Sequence, residues 1–184
     1  RITVDGDTST NDACTLIATS VSGVTLADAS DRERFLDALT TMCTALAQEI
    51  VADGEGATRD VAIRVTGAQT TAEAERVAFT VAESPLVKTA LFAADPNWGR
   101  ILAAVGRAGI RDLDVDRVRI HIGDCRIVEG GGLSPHYDES AAAACMAADH
   151  VSMTIDLDRG GETATVWTCD FSYDYVRINA EYRS

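Results

Sequence analysis

Residues 53–59 read DGEGATR, and they form the junction on which the fold turns. Before them, residues 32–52 place Phe35, Leu39, Met42, Leu46 and Ile50 close to i, i+4, i+7 spacing. That spacing predicts an amphipathic helix with the stripe in the core, capped by Ser30 or Asp31. After them, residues 60–67, DVAIRVTG, alternate as a half-buried strand. Gly54 and Gly56 flank one carboxylate, Glu55. Glycine accepts positive φ and lets a ligand or another segment approach its backbone, so this turn can present Glu55 to a substrate. The same residues also fit a Schellman-type cap at Gly54 with Glu55 merely solvated.

Toward the N-terminus, residues 13–19, ACTLIAT, read as a buried strand preceded by a polar run. Thr8, Ser9 and Thr10 in that run are side chains of the kind that satisfy turns. Toward the C-terminus, Thr70 and Glu73 have capping-box spacing. Ala74, Val77, Ala78 and Val81 continue that helix until Pro85 stops it, and residues 86–93, LVKTALFA, follow as a strand. In residues 95–109, Pro96 or Asn97 opens a helix whose Ala103, Ala104 and Gly106 allow close packing on a sheet. Trp98 and Arg100 read as its anchor and cap.

Residues 117–122 and 124–128 form a hairpin about Gly123-Asp124, residues 130–132 a loop, and residues 138–148 an Ala-rich helix. Residues 150–157 and 163–171 are two further strands, which DRGGE at 158–162 joins as a hairpin. The order predicts an α+β fold of layered sheets and helices.

Composition narrows the function. The chain has 184 residues, 46% hydrophobic and 24% charged, enough for one good core or two small ones. A net charge of −13 repels nucleic acid backbones. No run approaches the roughly 20 apolar residues that span a bilayer, and no basic n-region followed by an apolar h-region is found, so a cytoplasmic protein without membrane attachment is expected. The five cysteines are scattered without a CxxC, and the three histidines lack metal-helix spacing. The cysteines read as small buried hydrophobes, and no disulfide, metal or cofactor is indicated.

Four stretches together resemble one family: TVDGDTSTND at 3–12, DGEGATR at 53–59, DPNWGRILAAVGRAGI at 95–110 and DYVRINAEY at 174–182. In order and spacing they are similar to the β chain of the ornithine acetyltransferase (glutamate N-acetyltransferase) family. The resemblance implies a DmpA-like N-terminal nucleophile fold with a smaller C-terminal α/β domain. Residues 1–58 would then belong to the catalytic sandwich and 59–184 to the second domain, with the tail 174–184 returning to the active site.

It also implies a precursor that cuts itself into α and β chains, which assemble as α2β2 or larger. A ping-pong reaction would pass acetyl from N-acetylornithine to glutamate through a nucleophilic Thr expected upstream of Arg1. No catalytic residue is therefore expected within this chain. By motif position, Glu55, Asn179 and Ser184 are its expected substrate-binding residues; many members end in Thr where this chain has Ser184. Competing readings are an N-terminal nucleophile aminopeptidase or amidohydrolase, and a non-catalytic assembly subunit.

Overall fold

A computed structural model describes residues 1–182, so Ser184 lies outside the described residues. The elements, in order, are α1 (Ala29–Ala52), β1 (Asp60–Ala68), α2 (Thr71–Ala82), α3 (Pro85–Phe92) and α4 (Trp98–Gly106). After a 3-10 turn come β2 (Arg119–Ile122), β3 (Cys125–Glu129), β4 (Gly132–Leu133), α5 (Glu139–Met146), β5 (His150–Asp156), β6 (Glu162–Cys169) and α6 (Tyr173–Glu181).

All six strands form one sheet in the order β4-β3-β2-β5-β1-β6. The alternation in β1 buries Val61, Ile63 and Val65 completely while Arg64 faces out. Parallel register with β5 sets those three beside Val151, Met153 and Ile155, and antiparallel register with β6 sets Ile63 beside Val166. A two-residue Gly123-Asp124 turn joins β2 to β3, as the sequence predicts. Buried Ala74, Val77, Ala78 and Val81 of α2 and Ile101, Ala104 and Val105 of α4 join this apolar face in one core. The result is the α+β layering expected of alternating strands and amphipathic helices.

Several local expectations fail for identifiable reasons. Residues 13–19 are exposed and form no strand. A strand needs a neighbour to take its N–H and C=O groups, and no described segment offers one. Residues 86–93 are largely helix, because Pro85 occupies the first helical position, where its missing N–H costs nothing, and opens α3 instead of ending α2. A short apolar run does not distinguish a strand from a buried helix.

The DRGGE segment does not close a hairpin. β1 lies between β5 and β6, and the loop crosses its end: Arg159 and Gly160 N–H donate to the Gly67 carbonyl at 2.7 and 2.8 Å. In α4 only Ala104 of the three small residues is buried; Ala103 and Gly106 face out.

The α1 stripe is not core within this chain. Phe35, Met42, Leu46 and Ile50 are 44 to 59% exposed, and of the whole helix Val51 alone is buried. Its N-cap is Asp28, two residues before Ser30 and three before Asp31. By length and composition α1 is apolar enough to cross a membrane, which a count of uninterrupted apolar residues overlooks. Cys169 is buried as expected, but Cys14 and Cys43 are exposed and Cys125 and Cys145 are half-buried.

Candidate functional site

The site is built where the end of α1, the DGEGATR turn, the first residues of the chain and α6 meet. Asp53 caps α1 with φ −88°, and the left-handed residue is Gly56, at φ +67°, not Gly54. A Cβ on Gly56 would stand 2.5 Å from the Tyr175 nitrogen, so glycine is required here both for its conformation and for the close approach of α6. Ser172 ties the two segments. Its hydroxyl donates to the Gly56 carbonyl at 2.6 Å and accepts from the Asp174 and Tyr175 N–H groups, capping α6.

Buried Asp170 holds the other side of the turn. Its carboxylate accepts from the Thr58 N–H at 2.8 Å, the Thr58 hydroxyl at 2.5 Å and the Arg59 N–H at 3.0 Å. The Arg59 guanidinium lies 3.8 Å away and also donates to the Phe92 carbonyl at 2.9 Å. The backbone on which Glu55 sits is thus fixed from both ends.

Glu55 opens on a cavity of about 450 Å³ whose lining includes Asp5, Asp7, Asp12, Tyr175 and Asn179. The Asn179 amide donates to Glu55 Oε2 at 2.8 Å and to the Tyr175 carbonyl at 2.9 Å. The Tyr175 hydroxyl donates to Asp5 Oδ2 at 2.9 Å. Burial, then the bond to Asp5 and its charge, push the Tyr175 pKa up to about 12. Among the described residues the lining carries four carboxylates and no lysine or arginine. Such a cavity favours a ligand that brings an ammonium group.

Of the three residues expected from the sequence, Glu55 and Asn179 come together in this cavity, and Ser184 lies outside the described residues. Asp5, Tyr175, Ser172 and Asp170 were not anticipated. Asp5 and Tyr175 stand within the motifs that carry the resemblance, but nothing in spacing brings residues so far apart in sequence together. Among the described residues no group of three or more His, Cys, Asp or Glu is arranged to hold a metal ion.

The sequence pattern of the ArgJ family matches residues 1–184. The chain belongs to the ArgJ family. It is 52% identical to the arginine biosynthesis bifunctional protein ArgJ of Psychrobacter arcticus and 48% identical to that of Pseudomonas fluorescens, in each case over its full length. It spans only 46% of the length of either relative. The crystal structure of the arginine biosynthesis bifunctional protein ArgJ from Bacillus halodurans superposes with a TM-score of 0.91 at 41% identity. The match covers 99% of this chain and 86% of that one. The ArgJ family fold is therefore shared over essentially the whole chain.

Proposed function

We propose that this chain is the β-chain portion of an ornithine acetyltransferase, moving acetyl from N-acetylornithine to glutamate through an acyl-enzyme. The nucleophilic Thr comes from sequence upstream of Arg1, released by self-cleavage of a precursor. A Thr hydroxyl with its own α-amine as general base attacks the acetyl carbonyl, and an oxyanion hole outside this chain stabilises the tetrahedral intermediate. This chain supplies the binding face.

The observation that carries the reading is the Glu55–Asn179 pair in an acidic cavity. Glu55 keeps a second oxygen for the ammonium of the ornithine skeleton; Asn179, its two amide hydrogens held by Glu55 and the Tyr175 carbonyl, offers its Oδ1 to a substrate amide N–H, and Ser184 serves a carboxylate or amide with its hydroxyl. Glutamate enters the same face after ornithine leaves.

Residues 1–58 complete a catalytic sandwich with the α chain, and 59–184 form the second domain. This division is supported by the core cluster, which runs from Val61 to Val166 and takes nothing from α1. The exposed apolar residues of 13–26 and α1 are the surface offered to the α chain, with further αβ pairs building the assembly.

Glu55→Gln in the complete enzyme tests the site. KM for N-acetylornithine should rise with the fold retained, and acetyl should pass to glutamate faster than to water in the unaltered enzyme. An unchanged KM removes Glu55 from the binding site, and hydrolysis outrunning transfer overturns the reaction.

A further inference from the structure

Lys88, on α3, is the largest fully buried side chain among the described residues and, with Asp170, one of the two buried charged ones. Burial pushes its pKa down, opposed by Cys169, Asp170 and Asp5 nearby. An apolar residue would fill this space without the cost of desolvating an amine, so the ammonium is kept for what it bonds.

It holds one place, the exit of β6. Lys88 Nζ donates to the Thr168 hydroxyl at 2.8 Å and to the Cys169 carbonyl, and lies 4.6 Å from the centre of the Phe171 ring. The Lys88 carbonyl accepts from the Phe171 N–H at 3.1 Å. Both walls of the cavity rest on these residues. Phe171 stacks on Tyr175, centroid to centroid 4.4 Å, and Tyr175 carries the bonds to Asp5 and Asn179. On the other side, the Cys169 thiol points to the Val4 carbonyl, next to Asp5, and lies 3.4 Å from where a Cβ of Gly54 would stand.

We propose that Lys88 is a positioning residue: it fixes Cys169 and Phe171 and thereby aligns Tyr175, Asp5 and the Glu55–Asn179 pair for substrate. The inference rests on the binding role given to Glu55 above. Lys88 touches no substrate, and its effect travels through the Phe171–Tyr175 stack.

The test uses the complete enzyme with Lys88→Met, Phe171→Leu, Tyr175→Phe and Glu55→Gln, measuring melting temperature, kcat and KM for N-acetylornithine. Lys88→Met should raise KM about tenfold, the worth of one misplaced charge-assisted hydrogen bond, with a smaller change in kcat. Its effect on KM should not add to that of Tyr175→Phe, because both act through one contact chain. A folded Lys88→Met with unchanged KM, or with an effect that adds to Tyr175→Phe, overturns the proposal.

Should Lys88→Met not fold, Phe171→Leu breaks the same chain without stripping partners from buried polar groups. It should raise KM likewise, and an unchanged KM there overturns the proposal equally. Glu55→Gln separates the two failures. If it raises KM while Lys88→Met and Phe171→Leu do not, positioning alone is wrong; if it leaves KM unchanged, the binding site is misassigned and the positioning role falls with it.

Discussion

Asn179 and Glu55, 124 positions apart in sequence, share a 2.8 Å hydrogen bond across the mouth of an acidic cavity. The bond turns the Asn179 amide so that its other contact is the carbonyl of Tyr175 one helical turn earlier. A side chain held by two acceptors is already oriented before a ligand arrives, which lowers the ordering cost of binding.

Asn179→Ala should therefore raise KM for N-acetylornithine by roughly two- to tenfold, the worth of one net hydrogen bond. Both side chains are exposed, so the melting temperature should hardly move. Steady-state kinetics beside a thermal melt decides: lost stability with unchanged KM would make Asn179 a structural residue.

Gly56→Ala should be the most damaging single methyl in the turn. Its φ of +67° is unfavourable for alanine, and the new Cβ would meet the Tyr175 nitrogen at 2.5 Å and the Asp174 carbonyl carbon at 2.9 Å. The conformational part alone costs about 1 kcal/mol, and the backbone clash adds to it. Urea unfolding should show a lower midpoint, and a KM increase should accompany it because α6 must shift. A midpoint equal to the unaltered protein's would refute the close packing.

Asp170→Ala removes the acceptor of two backbone N–H groups and one hydroxyl in a buried setting. Each donor left unpaired costs about 1–3 kcal/mol, so a large fall in unfolding free energy is expected. Asp170→Asn, which keeps an acceptor but loses the charge facing Arg59, should fall between the two. Chemical denaturation of the three proteins orders them.

Tyr175 gives a signature at alkaline pH. Its phenol ionises at an ordinary value of 10 in the unfolded chain and at about 12 in the folded one. The folded state thus keeps a proton that the unfolded state has released. The corresponding stabilisation is complete below pH 10 and is lost as pH rises through 12. Stability of the unaltered protein should fall more steeply over that window than stability of Tyr175→Phe. Phenolate absorbance should show one late-titrating tyrosine that the variant lacks.

The 184 residues expressed alone should self-associate and bind a hydrophobic dye. Leu16, Ile17, Val21 and Val24 are 66 to 88% exposed, beside the uncovered face of α1. A contiguous apolar surface of this kind is not left open to water in a stable monomer. Co-expression with the upstream half of the precursor should abolish both signals, and a monodisperse chain that ignores the dye would contradict the interface.

What the sequence determined is whatever depends on near neighbours. The 2-residue period of β1, the caps at Thr70 and Asn97, the Gly123-Asp124 turn and the need for glycine around Glu55 are written locally, where side-chain spacing and backbone sterics act over a few residues. The family motifs added Glu55 and Asn179 as candidates. Tertiary structure decided the rest. DRGGE has the chemistry of a hairpin turn, yet β1 occupies the space between its strands, and no local signal reports which strand is inserted.

The run LVKTALFA is apolar enough for strand or helix, and the choice fell to packing, with Lys88 buried under the end of β6. The α1 stripe has the period of a core helix, but period shows only that a face wants cover, and among the described residues that cover is absent. Asp5, Tyr175, Asp170 and Lys88 are ordinary residues in sequence. They became parts of a site only when the sheet brought both ends of the chain to the turn that carries Glu55.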